Sequence, residues 1–241
     1  RWKPEQEIVY GLNPIAELVR AKRRNLLRLY AQDPKRFATL RNKVEEELPE
    51  PRYESRATLI NISGSTHNQG LVAEAEDYPF VEMEEIFEKP QKFILALDNL
   101  TDPQNVGAIL RSAYCAGVSG VTMRSHHAAG VTPSVVKASA GASEHLLISV
   151  VSNQSKVLEK AREEGYFIVA LDMDGSPLYK AKVPWKRPIM LMVGAEDQGV
   201  SAILKKNADM TVKIPMKGVL DSLNASVAAA LALFEIARNR D

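Results

Sequence analysis

From Phe93 onward the chain alternates short apolar runs with segments of helical spacing, and few architectures accept that pattern. Phe93-Ile94-Leu95-Ala96-Leu97 is continuously apolar, as a strand buried on both faces must be. Further strands are expected over residues 120–123, 146–151, 167–171, 189–193 and 210–214, with helices over 106–116, 134–140, 155–164 and 201–207. Such alternation implies an α/β fold with a mostly parallel sheet covered by helices.

The first third reads differently. Leu12, Ile15, Leu18, Val19, Leu26, Leu27 and Leu29 fall near helical spacing, so residues 8–30 are expected to form one amphipathic helix, started by Asn13-Pro14. A second helix is expected over 34–47, ended by Pro49 and Pro51. Residues 58–62 and 71–75 read as short strands about a turn with Gly64 and Gly70. The expected organisation is a small α/β domain at 1–82, a charged linker at 83–92 containing Pro90, and the repeating α/β domain at 93–241.

With 241 residues and 45% hydrophobic content, the chain can bury a substantial core. No apolar run is long enough to span a bilayer, and no secretory leader opens the sequence, so no membrane partner is expected. The one cysteine, Cys115, excludes an internal disulfide and suits a reducing compartment. Among Ala113, Tyr114 and Ala116 it reads as a small buried hydrophobe.

Net charge is only +1, but nine Arg and Lys residues stand between 20 and 43 against Asp33 alone. A charge run is ordinarily a solvated face; this one also offers phosphate-binding groups, with Arg20, Arg23, Arg24 and Arg28 as RNA-contact candidates. Adjacent His126 and His127 point apart and have no accompanying Cys or carboxylate cluster, so no metal is expected. His145 reads as a helix-end cap, and Trp2 and Trp185 as packing residues.

Three loops carry the chemistry. Asp98-Asn99-Leu100-Thr101-Asp102-Pro103-Gln104-Asn105 leaves a buried strand and enters a helix, where Asn105 can cap. Arg111 follows among Ala108, Ile109, Leu110 and Ala113, where an unpaired cation is costly and points to a ligand or partner. The second loop is Val193-Gly194-Ala195-Glu196-Asp197-Gln198-Gly199. The third, Ile214-Pro215-Met216-Lys217-Gly218 through Ser222-Leu223-Asn224, joins a strand to an Ala-rich helix. Rigid loops between buried elements are where open α/β sheets bind ligands.

In this order the loops resemble the SPOUT class of RNA methyltransferases, and more closely the TrmH family of ribose 2'-O-methyltransferases. The resemblance rests on Asp98-Asn99-x-x-Asp102-Pro103-Gln104-Asn105-Val106-Gly107 and on Ile214-Pro215-Met216-x-Gly218-x-x-x-Ser222-Leu223-Asn224-x-Ser226. Tyr10-Gly11 and His67-Asn68-Gln69-Gly70 look like the substrate-binding domain of the rRNA guanosine branch. The middle loop departs from the family, which usually reads Gly-Asn-Glu-Gly where this chain has Gly194-Ala195-Glu196-Asp197.

The resemblance implies an L30e-like RNA-binding domain ahead of a SPOUT domain with a C-terminal trefoil knot. It implies S-adenosylmethionine as cofactor, held by Val193, Gly194, Gly199, Ile214, Pro215, Met216 and Leu223. It places Asn105, Arg111, Glu196, Ser222 and Asn224 in the catalytic constellation, and ribosomal RNA and a second copy of the chain as partners. An ordinary Arg is a poor base, so Arg111 is expected to stabilise developing alkoxide charge. The implied location is bacterial cytoplasm or mitochondrial matrix. Alternatives are a tRNA or antibiotic-resistance rRNA target, a catalytically silent RNA-binding protein of the same fold, or a nucleotide-binding oxidoreductase. The last lacks a Gly-x-Gly-x-x-Gly after its first strand.

Overall fold

The computed structural model of the chain describes residues 6–124, 130–196, 198–219 and 222–240. Trp2, His126, His127 and Asp197 therefore lie outside the described residues, and so do Leu220 and Asp221 of the tail loop.

The chain divides into two compact units. The first begins β1 (Gln6–Tyr10), α1 (Leu12–Ala21), β2 (Leu26–Ala31), α2 (Pro34–Arg41), β3 (Arg52–Tyr53), α3 (Arg56–Ser63) and β4 (Leu71–Glu76). Its four strands are ordered β1-β4-β2-β3, with β4 antiparallel to both neighbours and β3 parallel to β2. The single helix expected over 8–30 is thus a strand, a helix and a strand. Gly11, at φ 97°, turns the chain between β1 and α1, and Lys22 in the left-handed region ends α1. The strand expected at 58–62 is α3 instead, because the Ser55 hydroxyl accepts from the Thr58 amide and Gly64 closes the far end at φ 64°.

The second part of the chain runs α4 (Met83–Phe87), β5 (Phe93–Asp98), α5 (Pro103–Cys115), β6 (Gly120–Arg124), α6 (Pro133–Ala138), β7 (Ile148–Val151), α7 (Gln154–Glu163), β8 (Phe167–Pro177), β9 (Ile189–Gly194), α8 (Ala202–Lys206), β10 (Met210–Lys213) and α9 (Ala225–Arg240). Six strands form one sheet in the order β10-β8-β9-β5-β6-β7, and every pairing is parallel. Parallel strands need long crossovers, and these carry helices except between β8 and β9, where residues 178–188 hold only a short 3-10 turn. The central strands β5 and β9 are buried along their whole length, as their unbroken apolar runs require.

Two expectations about domain limits are corrected. The expected linker contains α4, whose Ile86 and Phe87 are buried in the core of the second unit beside Ile94, Tyr166 and Met190. Ile86 packs so closely on Gly120 that an added Cβ there would come within 2.4 Å of it. The second correction is that residues 131–145, which contain α6 and a short 3-10 turn, belong to the first unit; the second unit is 80–130 and 146–241.

Inside the first unit Arg24 is buried, and its guanidinium grips Glu144 with Nε–Oε2 at 3.0 Å and Nη2–Oε1 at 2.6 Å, while Nη1 reaches Glu7 Oε2 at 2.6 Å. Burial lowers the Arg24 pKa, but the bonds to Glu144 and Glu7 outweigh it and raise it overall. Tyr78 donates to the Ser143 carbonyl at 2.6 Å, and burial raises its phenol pKa. His145 faces Glu17 Oε2 at 2.9 Å rather than acting as a cap.

Candidate active site

A cavity of about 790 Å³ opens at the carboxyl ends of β9 and β10, beside Leu171, Asp172 and Met173 in the middle of β8. Parallel strands bring their loops to one end, and sites form there. Val193, Gly194, Gly199, Ile214, Pro215, Met216 and Leu223 all line this cavity, as do Glu196 and Ser222. The volume lies within the roughly 300–1,000 Å³ typical of small-molecule sites.

The loop walls are held by backbone contact. A Cβ on Gly194 would lie 1.9 Å from the Gly199 carbonyl oxygen, so no other residue fits there without moving the backbone. Gly199 sits at φ 63° and donates its amide to the Ala195 carbonyl at 2.8 Å. These contacts keep the second loop folded on itself despite Ala195 in place of the family's Asn.

Glu196 joins all three loops. Its Oε1 accepts from Asn105 Nδ2 at 3.1 Å, from the Ala225 amide at 3.0 Å and from Asn224 Nδ2. Asn224 Nδ2 also donates to Asn105 Oδ1 at 3.0 Å, while its own Oδ1 accepts from the Ser226 amide at 3.0 Å and caps α9. Asn105, Glu196 and Asn224 are therefore one hydrogen-bonded cluster, built from residues up to 119 apart in sequence. Asn105 is not itself a cap; Asp102 fills that position, accepting from the Gln104 amide at 3.1 Å. At the other edge, buried Asp98 accepts from the Ser201 amide at 2.9 Å and ties the first loop to the end of the second.

Arg111 is not brought into this cluster. It lies about 9 Å along α5 from Asn105 and about 240° round the axis. Contrary to its apolar sequence neighbours, it is exposed, and it makes no ion pair or hydrogen bond among the described residues. Cys115 on the same helix is likewise exposed rather than buried. Ser222 lines the cavity and is exposed.

The four basic candidates of the first unit have partners within it. Arg24 is turned inward on Glu144 and presents no charge to RNA, because a buried guanidinium must be paired. Arg23 donates to the Pro79 carbonyl at 2.9 Å, Arg20 pairs with Glu17 at 2.6 Å, and Arg28 pairs with Glu74 at 3.0 Å.

Asp172, at the edge of the cavity, was not singled out from the sequence. Its Oδ2 accepts from the Val200 amide at 3.2 Å, and Lys205 Nζ lies 3.3 Å from Oδ1. The same lysine holds Asp174 at 2.9 Å and keeps that carboxyl below its ordinary range. The available signal was position: Leu171-Asp172 closes an apolar run that becomes a central parallel strand. No group of His, Cys, Asp and Glu suited to a metal ion occurs among the described residues, and no described helix is long and apolar enough to cross a membrane.

Comparison with known proteins divides the chain in sequence order, with residues 131–145 inside the second match. Residues 92–234 match the SpoU rRNA Methylase family, and residues 8–81 match the RNA 2'-O ribose methyltransferase substrate binding domain. The 23S rRNA (guanosine-2'-O-)-methyltransferase RlmB of Shewanella oneidensis is 30% identical over 244 residues, covering 98% of each chain. A putative TrmH family tRNA/rRNA methyltransferase of Bacillus subtilis is 34% identical over 195 residues, covering 79% of this chain and 78% of its own. A crystal structure of an RNA 2'-O ribose methyltransferase superposes with a TM-score of 0.81 at 28% identity, covering 98% of this chain and 89% of that one. The SpoU methyltransferase AviRb of Streptomyces viridochromogenes, crystallised with AdoMet, gives a TM-score of 0.79 at 28% identity over 98% of this chain and 90% of its own.

Proposed function

The chain belongs to the SpoU rRNA methylase family, and on that premise we propose that it methylates the 2'-hydroxyl of a guanosine in large-subunit ribosomal RNA, using S-adenosylmethionine. The observation that carries this reading is the full-length correspondence with the Shewanella oneidensis enzyme, which spans the substrate-binding part as well as the catalytic part.

The cavity suits the cofactor chemically. Leu171, Val193, Ile214 and Leu223 offer apolar walls, and the carboxylates of Asp172 and Glu196 offer acceptors for a cationic, hydroxyl-bearing molecule. When bound, the cofactor would supply an electrophilic methyl carbon on a sulfonium, and Ile214, Pro215, Met216 and Leu223 of the tail would hold it. Glu196 holds the loops through Oε1, leaving Oε2 to accept a bond from the substrate. A ribose 2'-hydroxyl held beside Glu196 would give up its proton to water as its oxygen takes the methyl group. Fixed dipoles and positioning then carry the acceleration, since no group in the Asn105–Glu196–Asn224 cluster has to change its protonation state.

A second copy of the chain completes this site. On α9, Val227, Leu231 and Phe234 recur at i, i+4 and i+7 and are each 40% exposed or more, while Ala229, Ala232, Leu233 and Ile236 are buried on the other side. Tyr114 on α5, which packs against α9, is also exposed. A two-fold axis through this stripe would bury it twice and carry Arg111, unpaired among the described residues, to the partner's cofactor loops, where it would meet the developing alkoxide.

The direct test supplies large-subunit RNA lacking its own modifications together with methyl-labelled cofactor, then digests the product to nucleosides. Label in 2'-O-methylguanosine is expected. Label on a base, or transfer to tRNA alone, overturns the assignment.

A further inference from the structure

A second cavity, of about 540 Å³, lies at the opposite end of the parallel sheet and belongs to none of the three loops. Its walls come from the segment before β5, the end of α5, the segment before β9 and the last turn of α9. Lys92, Lys186 and Arg240 line it, and among the described residues no Asp or Glu does.

The way these cations are held is unusual. Each is bonded to neutral backbone oxygens: Lys92 to the Phe87 carbonyl, Lys186 to the Arg240 carbonyl at 3.2 Å, and Arg240 to the carbonyls of Arg187 at 2.6 Å and Trp185 at 3.2 Å. The Arg240 guanidinium also lies 5.8 Å from the centre of the Phe93 ring. Carbonyl bonds orient a cation without neutralising it. Burial lowers the Arg240 pKa, and none of the three cations has an ion-pair partner among the described residues. Glu164 is within electrostatic reach of Lys92, but its carboxylate is paired with Lys160 at 2.9 Å. Among the described residues the carboxyl end of α9 contributes about half a negative charge, against three positive ones.

We propose that this cavity is an RNA contact distinct from the methyl-transfer site, taking a backbone phosphate between Lys92, Lys186 and Arg240. Phosphate is the fitting group, because a guanidinium fork and two ammonium groups supply several free donors and excess charge together. The inference rests on the reading of the chain as an RNA-acting enzyme. β9 runs from Ile189, beside the second cavity, to Gly194, in the first, so the two lie roughly 16 Å apart along the strand. RNA engaged at both must pass around the edge of the domain, and the far contact fixes its direction without touching the reacting nucleotide.

The test measures binding of a large-subunit RNA fragment by fluorescence anisotropy over a range of KCl concentrations. Lys186 is exposed, so Lys186→Glu should fold normally, which an unchanged cofactor affinity by calorimetry will establish. The expected result is a Kd for RNA raised about five- to ten-fold near 0.1 M salt, and a slope of log K against log salt reduced by about one. Lys186→Arg should restore both, and kcat at saturating RNA should hold while KM rises. Lys92→Gln provides an independent second variant with the same expected direction. Unchanged Kd and slope in both variants, with wild-type methylation intact, overturn this inference alone. Absence of RNA binding and methylation in the wild type overturns the functional reading with it. If millimolar inorganic phosphate raises the Tm of the wild type and not of Lys186→Glu while RNA affinity is equal, the cavity takes a small anion and the assignment to RNA is wrong.

Discussion

Arg24 and Glu144 stand 120 residues apart in sequence and face each other as a two-pronged ion pair, each side chain only 1% exposed. The pair fixes residues 131–145 in the same compact unit as the first 79 residues, although the chain visits the second unit in between.

Removing one partner of this pair leaves a buried charge. Glu144→Ala should therefore destabilise the protein by about 3–5 kcal/mol, toward the lower end because Glu7 still reaches Arg24. Urea unfolding checks this, and a change below about 1 kcal/mol is incompatible with a buried guanidinium that has lost its two-pronged partner.

Deletion of the first unit should not be benign. Removing residues 1–79 takes away Arg24, Glu17 and Tyr78, the partners of Glu144, His145 and Ser143. Removing 1–88 also takes Ile86 and Phe87 from the core of the second unit. Calorimetry should show a lower Tm for the shorter deletion and loss of a cooperative transition for the longer one. A cooperative 89–241 fragment with the Tm of the full chain contradicts this.

Gly194→Ala should abolish cofactor binding by titration calorimetry, since the new methyl meets the Gly199 carbonyl at 1.9 Å and must push one loop off the other. Affinity within three-fold of the parent would mean that the loops yield freely.

Arg111→Ala should lower the methylation rate to under a tenth of the parent while leaving stability within about 0.5 kcal/mol, because the side chain is exposed and unbonded. Cofactor affinity should not change. Mixing this variant with Asn224→Ala should recover activity through mixed dimers holding one intact site each. Recovery failing in a proven dimer would place Arg111 outside the partner's site.

Tyr166 offers a pH test. Its hydroxyl is buried without a hydrogen-bond partner among the described residues, and burial pushes its pKa from 10.0 up to about 12. The raised value means the neutral phenol stabilises the fold fully below pH 10, and that contribution is lost as pH rises toward about 12. Tyr166→Phe should be neutral or slightly stabilising at pH 7 and should unfold less readily than the parent between those pH values. A loss of more than about 1 kcal/mol at pH 7 would show that the hydroxyl has a bonded partner after all.

What the sequence determined by itself is local or periodic. The apolar runs that become β5 and β9 identify a parallel sheet, because strands buried on both faces leave no room for polar alternation. The loops were legible because Gly and Pro beside buried strands mark rigid turns, while the family resemblance singled out Gly194, Gly199, Ile214 and Leu223 within them, and all four line one cavity. Ser55 and Gly64 also carried a helix signal that the β-branched run between them masked. Tertiary structure decided the rest. Leu26–Ala31 fits either helical or strand spacing, and only pairing with β4 makes it a strand. In a basic run, nothing local separates the inward Arg24 from half-exposed Arg28; the difference is Glu144, delivered from the far side of the sequence. The same holds for Glu196, whose three donors come from α5 and the start of α9 and meet only because the sheet gathers its loops at one end.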